Sequence, residues 1–175
     1  MIQVMLIVVG VVVVAVAAVA VIGLLLPQGH TATRSARLAQ RPEAVWAALT
    51  DIDNYPAWRP DVRRVERQSD EDGRARWREF GGNGKIAYEV VESVPPSRLV
   101  TRIADHGLPF GGSWTYVVTP TSDGGSTVTV TEDGEVYNPI FRFVSRFVTG
   151  HTATMDKYLK ALGKKFGESV TVGGP

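Results

Sequence analysis

Between Ile2 and Leu26 the chain carries no charged side chain, and only Gln3, Gly10 and Gly23 interrupt a run of Val, Ala, Leu, Ile and Met. About twenty such residues in a helix span a bilayer core of about 30 Å. This stretch predicts a transmembrane helix, making contact with a membrane through residues 2–26. A cleaved secretory signal would call instead for a basic start, an apolar core of about 7–15 residues and a small-residue cleavage site. Here the start is uncharged, the core is longer, and Pro27-Gln28-Gly29 follows.

Every Lys, Arg, Asp and Glu lies at or after Arg34, so the chain divides into an anchor with a short linker, residues 1–30, and a polar remainder. Arg34, Arg37 and Arg41 follow the apolar run, and basic residues beside a span tend to stay cytoplasmic. The expectation is a single-pass membrane protein with a cytoplasmic domain. The lack of cysteine suits a reducing compartment and many secreted proteins alike, so it adds nothing. Residues 31–167 have the size of one domain, and residues 168–175 read as a flexible Gly-rich tail. The net charge of +1, with both signs mixed, offers no basic face for a nucleic acid.

Within the domain, Thr31–Gln40 alternates weakly and reads as a strand. Pro42 and Glu43 then open a short helical stretch with Val45, Trp46 and Leu49 on one face, and a second short helix fits before Pro60. Six strand-like runs follow, bounded by Asp72-Gly73, Gly81-Gly82-Asn83-Gly84, Pro95-Pro96, Gly111-Gly112 and Asp123-Gly124-Gly125. Finally, Asn138 can cap a helix that Pro139 begins. Ile140, Val144, Phe147, His151, Met155, Tyr158, Leu162 and Phe166 recur at three- and four-residue steps along it. A single helix over 138–166 would be about 40 Å long and would need a large partner surface.

The predicted fold class is α+β. A curved seven-stranded antiparallel sheet wraps a long C-terminal helix, with two short helices after the first strand. One helix cannot fill a curved sheet everywhere, so a pocket is expected at one end, of the kind that holds apolar ligands.

Pro42-Glu43-Ala44-Val45-Trp46, Leu49-Thr50-Asp51 and Tyr55-Pro56-Ala57-Trp58-Arg59-Pro60-Asp61-Val62 resemble the opening of the START-like, helix-grip superfamily. That group includes polyketide cyclases, dehydrases and lipid-transport proteins of SRPBCC type. Gly111-Gly112-Ser113-Trp114-Thr115-Tyr116 and the Asn138-Pro139 helix start are similar to the same group. The likeness covers most of Thr31–Gly167 and leaves out the apolar run. It implies the helix-grip fold and a cavity, while members range from carriers to cyclases.

Strand alternation supplies candidates for the cavity wall: Trp114 and Tyr116 on one strand, Val130 and Glu132 on the next, and Trp77 and Tyr88 further along. From the long helix come Phe147, His151 and Met155, and Trp58 sits in a Pro-bracketed turn. A carboxylate on a core face is costly unless paired. Glu132 and Glu79 are therefore either general acid–base groups, with His151 as a third candidate, or carboxylates that pair with Arg76, Arg78 or Arg102 or bend out to solvent. Leu108 and Phe110 flank Pro109 in a loop that either gates the cavity or dips into lipid, or simply folds back on the sheet edge. His30, His106 and His151 are isolated in sequence, so no metal is implied, and no glycine cluster forms a phosphate loop, so no cofactor is expected either.

Three functions fit these readings. One is a membrane-anchored carrier or sensor whose partner is a lipid or other hydrophobic small molecule. The others are a cyclase or dehydratase using the carboxylates or histidine, and an interaction module with a filled cavity. The oligomeric state is left open, since the apolar run lacks a Gly-x-x-x-Gly pair.

Overall fold

The computed structural model describes residues 1–82 and 84–174. Asn83, in the predicted Gly81–Gly84 turn, lies outside the described residues. The apolar run forms helix α1, Ile2–Leu25, with a mean hydropathy of 3.3 and none of that window buried against the rest of the protein. Three residues later the chain enters β1, Gly29–Leu38, then α2, Pro42–Thr50, and a 3₁₀ turn, Ile52–Ala57.

Strands β2 (Val62–Glu71), β3 (Arg74–Gly81), β4 (Gly84–Val94), β5 (Arg98–Ile103), β6 (Phe110–Pro120) and β7 (Ser126–Val136) follow as an antiparallel meander. β1 closes against β7 over ten register pairs, from Gly29 with Glu135 to Leu38 with Ser126. The expected α+β helix-grip architecture is present. The sheet has eight strands, because Val172–Gly173 in the expected tail forms β8 against Ser35 and Ala36 of β1.

Alternation along the strands places the core as the sequence predicts. Tyr116 and Val118 of β6, Val128 and Val130 of β7, and Ala36 and Leu38 of β1 are buried together with Val45, Ala48 and Leu49 of α2. A second cluster joins Ile52, Tyr55, Val62 and Trp77, and Trp58 packs against both.

The last helical segment departs from its single-helix reading. α3, Pro139–Val144, is followed by a π-helical turn, Ser145–Thr149, and the chain then breaks at Gly150 (φ 70°, ψ 173°) before α4, Ala153–Lys165. Positive φ costs little only for glycine, so Gly150 fixes the break. The start is as predicted: the Asn138 side chain accepts from the amides of Ile140 and Phe141.

Two partners divide the segment. α4 buries Met155, Tyr158, Leu159 and Leu162, each at most 4% exposed, on the sheet and α2. At roughly 1.5–3 kcal/mol for each large apolar side chain, this face contributes several kcal/mol to the fold. α3 instead packs on the end of α1. A Cβ on Gly23 would lie 1.9 Å from the Pro139 carbonyl oxygen, so only glycine allows the approach. There the side chain of Arg142, itself buried, donates to the carbonyls of Leu26 (2.9 Å) and Tyr137 (3.1 Å). The half of the apolar stripe on α3 and the π turn does not reach the core, and Ile140, Phe141, Phe147 and Val148 are exposed.

Candidate functional site

A cavity of about 350 Å³ lies between the sheet and the α3–α4 segment, small for the roughly 300–1,000 Å³ typical of small-molecule sites. Its wall is aromatic. Trp77 and Tyr88 face each other across β3 and β4 with ring centroids 5.5 Å apart, and Trp114, Tyr116 and Tyr158 meet edge-on or tilted at 5.5–6.0 Å. Val62, Ile86, Ile103, Phe110, Val136 and Phe141 complete the apolar lining. Burial raises Tyr55, Tyr88, Tyr116 and Tyr158 above the ordinary phenol range, so all four remain neutral hydroxyls. The Tyr158 hydroxyl has no hydrogen-bond partner among the described residues, although the residue is only 4% exposed and lines the cavity.

Polar groups enter the wall at two places separated in the sheet by β4, β5 and β6. At the first, Arg59 from the turn after the 3₁₀ segment donates to Glu79 Oε1 at 2.9 Å and to Asp61 Oδ2 at 2.6 Å. Trp77 Nε1 donates to the same Glu79 oxygen at 3.0 Å. Burial disfavours the guanidinium charge, but Glu79 and Asp61 outweigh it and hold Arg59 above its ordinary value. The Arg59 guanidinium also lies over the rings of Tyr55 and Tyr158, at 4.9 and 5.4 Å. Glu79 points inward, as alternation predicts, and it is paired, but by Arg59. Arg102 bonds Glu89 and Arg76 bonds Glu71, which removes two of the cations considered from sequence.

The second polar group brings together residues that sequence separates by more than a hundred positions. His30 on β1 stacks on His151, just beyond the helix break, with ring centroids 3.8 Å apart. His30 Nε2 lies 3.9 Å from Glu132 Oε1 on β7. The β1–β7 register sets His30 opposite Gly134, where a Cβ would fall 2.4 Å from the imidazole, so this glycine makes room for the ring.

Burial lowers the pKa of His30, with His151 adding to the effect and Asp133 opposing it. His151 is lowered by burial and then by Arg146. Both imidazoles are therefore neutral near pH 7 and able to donate and accept at once. Burial raises the Glu132 carboxyl, against a hydrogen bond from Trp114. A neutral histidine pair beside a carboxyl that readily takes a proton can pass protons to a bound molecule or orient its polar group.

Of the residues proposed from sequence, Trp77, Tyr88, Trp114, Tyr116, Glu132, His151 and, from the loop, Phe110 line the cavity together with Glu79. Trp58 lies behind it as a core residue, edge-on to Tyr55 and Tyr158, because the turn it sits in packs between the two core clusters. Val130 and Met155 are wholly buried beneath the wall, and Leu108 is part-buried outside it. Phe147 is 60% exposed because the π turn rotates it away from the sheet. Sequence reasoning missed Arg59 and His30. Arg59 was legible only as part of a turn, and His30 acquires its partners through the β1–β7 register and the packing of the helix break. Among the described residues no group of His, Asp and Glu could hold a metal ion.

The sequence profile of the polyketide cyclase/dehydrase and lipid transport family matches residues 29–167. No curated protein sequence matches the chain. Among solved structures, a START superfamily protein from Mycobacterium smegmatis is similar at 17% identity and a TM-score of 0.63, over 78% of this chain and 96% of its own. Norcoclaurine synthase from Thalictrum flavum is similar at 12% identity and a TM-score of 0.63, over 80% of this chain and 87% of its own. The di-domain ARO/CYC protein StfQ from the steffimycin biosynthetic pathway gives 14%, 0.62, 77% and 50%. At such identities the likeness speaks for the fold alone.

Proposed function

The chain belongs to the polyketide cyclase/dehydrase and lipid transport family, and from that premise we propose that it is a membrane-anchored binding protein, a carrier or sensor of a compact hydrophobic molecule. The observation that carries the reading is the aromatic cavity with the buried, unpartnered Tyr158 hydroxyl in its wall. A buried hydroxyl without a partner costs about 1–3 kcal/mol, which a ligand's polar group would recover. The volume favours one acyl chain or a flat ring system over an intact two-chain phospholipid. A void of this size also speaks against a self-filled interaction module.

On this reading α1 is the anchor, and the domain lies on the cytoplasmic side by the argument from Arg34, Arg37 and Arg41. Protease protection in sealed vesicles tests that side.

The binding reading is tested by purifying the full chain in detergent, extracting bound small molecules for mass spectrometry, and titrating single-chain lipids and flat aromatic compounds against tryptophan fluorescence. Co-purified hydrophobic molecules and saturable quenching are expected. An empty extract with no response across the panel would overturn it.

A second reading, an acid–base enzyme of the cyclase or dehydratase type, is favoured by the His30–His151 stack beside Glu132. In it Glu132 delivers or removes a proton and the neutral imidazoles relay it. Turnover surviving unchanged in a Glu132→Gln, His151→Ala double variant would remove these groups from the chemistry.

A further inference from the structure

α3 and the π turn carry Ile140, Phe141, Phe147 and Val148 into solvent at 39%, 50%, 60% and 72% exposure, whereas the apolar positions of α4 are buried. This exposed patch is not at a random place. It is fastened to the end of the apolar helix by the Gly23–Pro139 contact and by Arg142, which donates to the Leu26 carbonyl. With α1 across a bilayer, a reading on which this inference rests, the patch lies at the level where the hydrocarbon ends.

Arg146, exposed between Ser145 and Phe147, adds a cation where phosphate headgroups would be. The same segment also belongs to the cavity. Phe141, Ser145, Gly150 and His151 line it, and Phe141 is both lining and half exposed, so this segment forms a rim of the cavity.

We infer that α3 and the π turn are a lipid-seated doorway: they lie in the interface of the bilayer that α1 spans, so that the cavity opens toward lipid. The partner is the bilayer surface itself. Contiguous apolar side chains on an exposed helix are unfavourable in water, and burial in the headgroup boundary removes that cost without a second protein. The break at Gly150 lets α3 follow the membrane plane while α4 stays on the sheet. A hydrophobic molecule thereby reaches Trp114 and Tyr116 without crossing water.

The absence of cysteine gives a direct test. Full-length single-cysteine variants Phe147→Cys, Val148→Cys, Val12→Cys and Asp70→Cys carry a polarity-sensitive fluorophore in vesicles of phosphatidylcholine with phosphatidylglycerol. Brominated lipids serve as quenchers. Val12 reports the anchor, and Asp70, on the distal β2–β3 hairpin, reports the aqueous side.

The expected result is quenching at Val12, Phe147 and Val148 and none at Asp70, with positions 147 and 148 within about 5–10 Å of the headgroup–acyl boundary. Quenching at Val12 with Phe147 and Val148 behaving like Asp70 would overturn the doorway and leave the anchor standing. No quenching at Val12 would remove the anchor and the doorway with it. Shielding of Phe147 from aqueous iodide that grows with protein density, without lipid quenching, would assign the face to a second copy and likewise overturn it.

Discussion

Replacing Arg59 with methionine probes the polar end of the cavity most directly. The substitution keeps the aliphatic stem that packs on Tyr55 and Tyr158 but removes the charge from beside Glu79. The two side chains are 12% and 9% exposed, so solvent screens the pair little. A pair of unit charges about 4 Å apart at an effective dielectric near 20 is worth about 4 kcal/mol, and removing one member of a buried pair typically costs about 3–5 kcal/mol.

In the variant only Trp77 Nε1 still bonds Glu79. The expected loss at neutral pH is therefore about 4 kcal/mol, a large fraction of the stability of an ordinary domain. The loss comes from leaving the Glu79 carboxylate buried without the charge that pairs it. Removing the carboxylate by mutation as well, in an Arg59→Met, Glu79→Leu double variant, should recover most of the loss. Urea denaturation of the full chain in detergent micelles, followed by tryptophan fluorescence, measures both variants. A single-variant loss below about 1 kcal/mol, or a double variant no more stable than the single one, would refute the pairing as the thing that holds Glu79 inside.

Glu132→Gln should stabilise the protein at neutral pH. The native carboxyl titrates above its unfolded value of 4.5, so native stability falls as pH rises through that window, and the glutamine's advantage should vanish below about 4.5 in the same denaturation assay. The histidines act in the opposite sense. Their native pKa values lie below 6.5, so their contribution is complete above that value and stability declines as pH falls below it. A His30→Leu, His151→Leu variant should flatten the melting temperature between pH 7.5 and 5.5. Gly134→Val should push the His30 ring off its stack at a cost of about 1–3 kcal/mol for overpacking, read from denaturation and from displaced imidazole proton resonances. Gly150→Val, which would need positive φ at a β-branched residue, should cost about 1 kcal/mol or more in the same assay.

The fold was legible wherever one rule of periodicity decides structure. Alternation in β6 and β7 put Tyr116, Val118, Val128 and Val130 inside, and the Asn138 cap set the start of α3. The helix break was not legible in this way. Three- and four-residue spacing runs unbroken from Ile140 to Phe166, and only the backbone at Gly150 shows that its two halves face different partners. Of the cavity, sequence shows the aromatic wall but misses the pairing of groups across elements. Glu79 was visible as a carboxylate on a core face, yet its partner arrives from a turn twenty residues away. His30 and His151 are isolated until register and fold lay one ring on the other.

The link between α1 and the domain is short. Three residues separate α1 from β1, so tension on the tether enters along the axis of β1, where the ten register pairs with β7 resist it together in shear. The same route is also held by the Arg142 side chain on the Leu26 carbonyl and by the Val136 amide on the Gln28 carbonyl. A pull on α1 would load the Gly23–Pro139 contact and the Arg142–Leu26 hydrogen bond as well as β1, so the placing of α3, which contributes Phe141 to the cavity wall, is tied to α1.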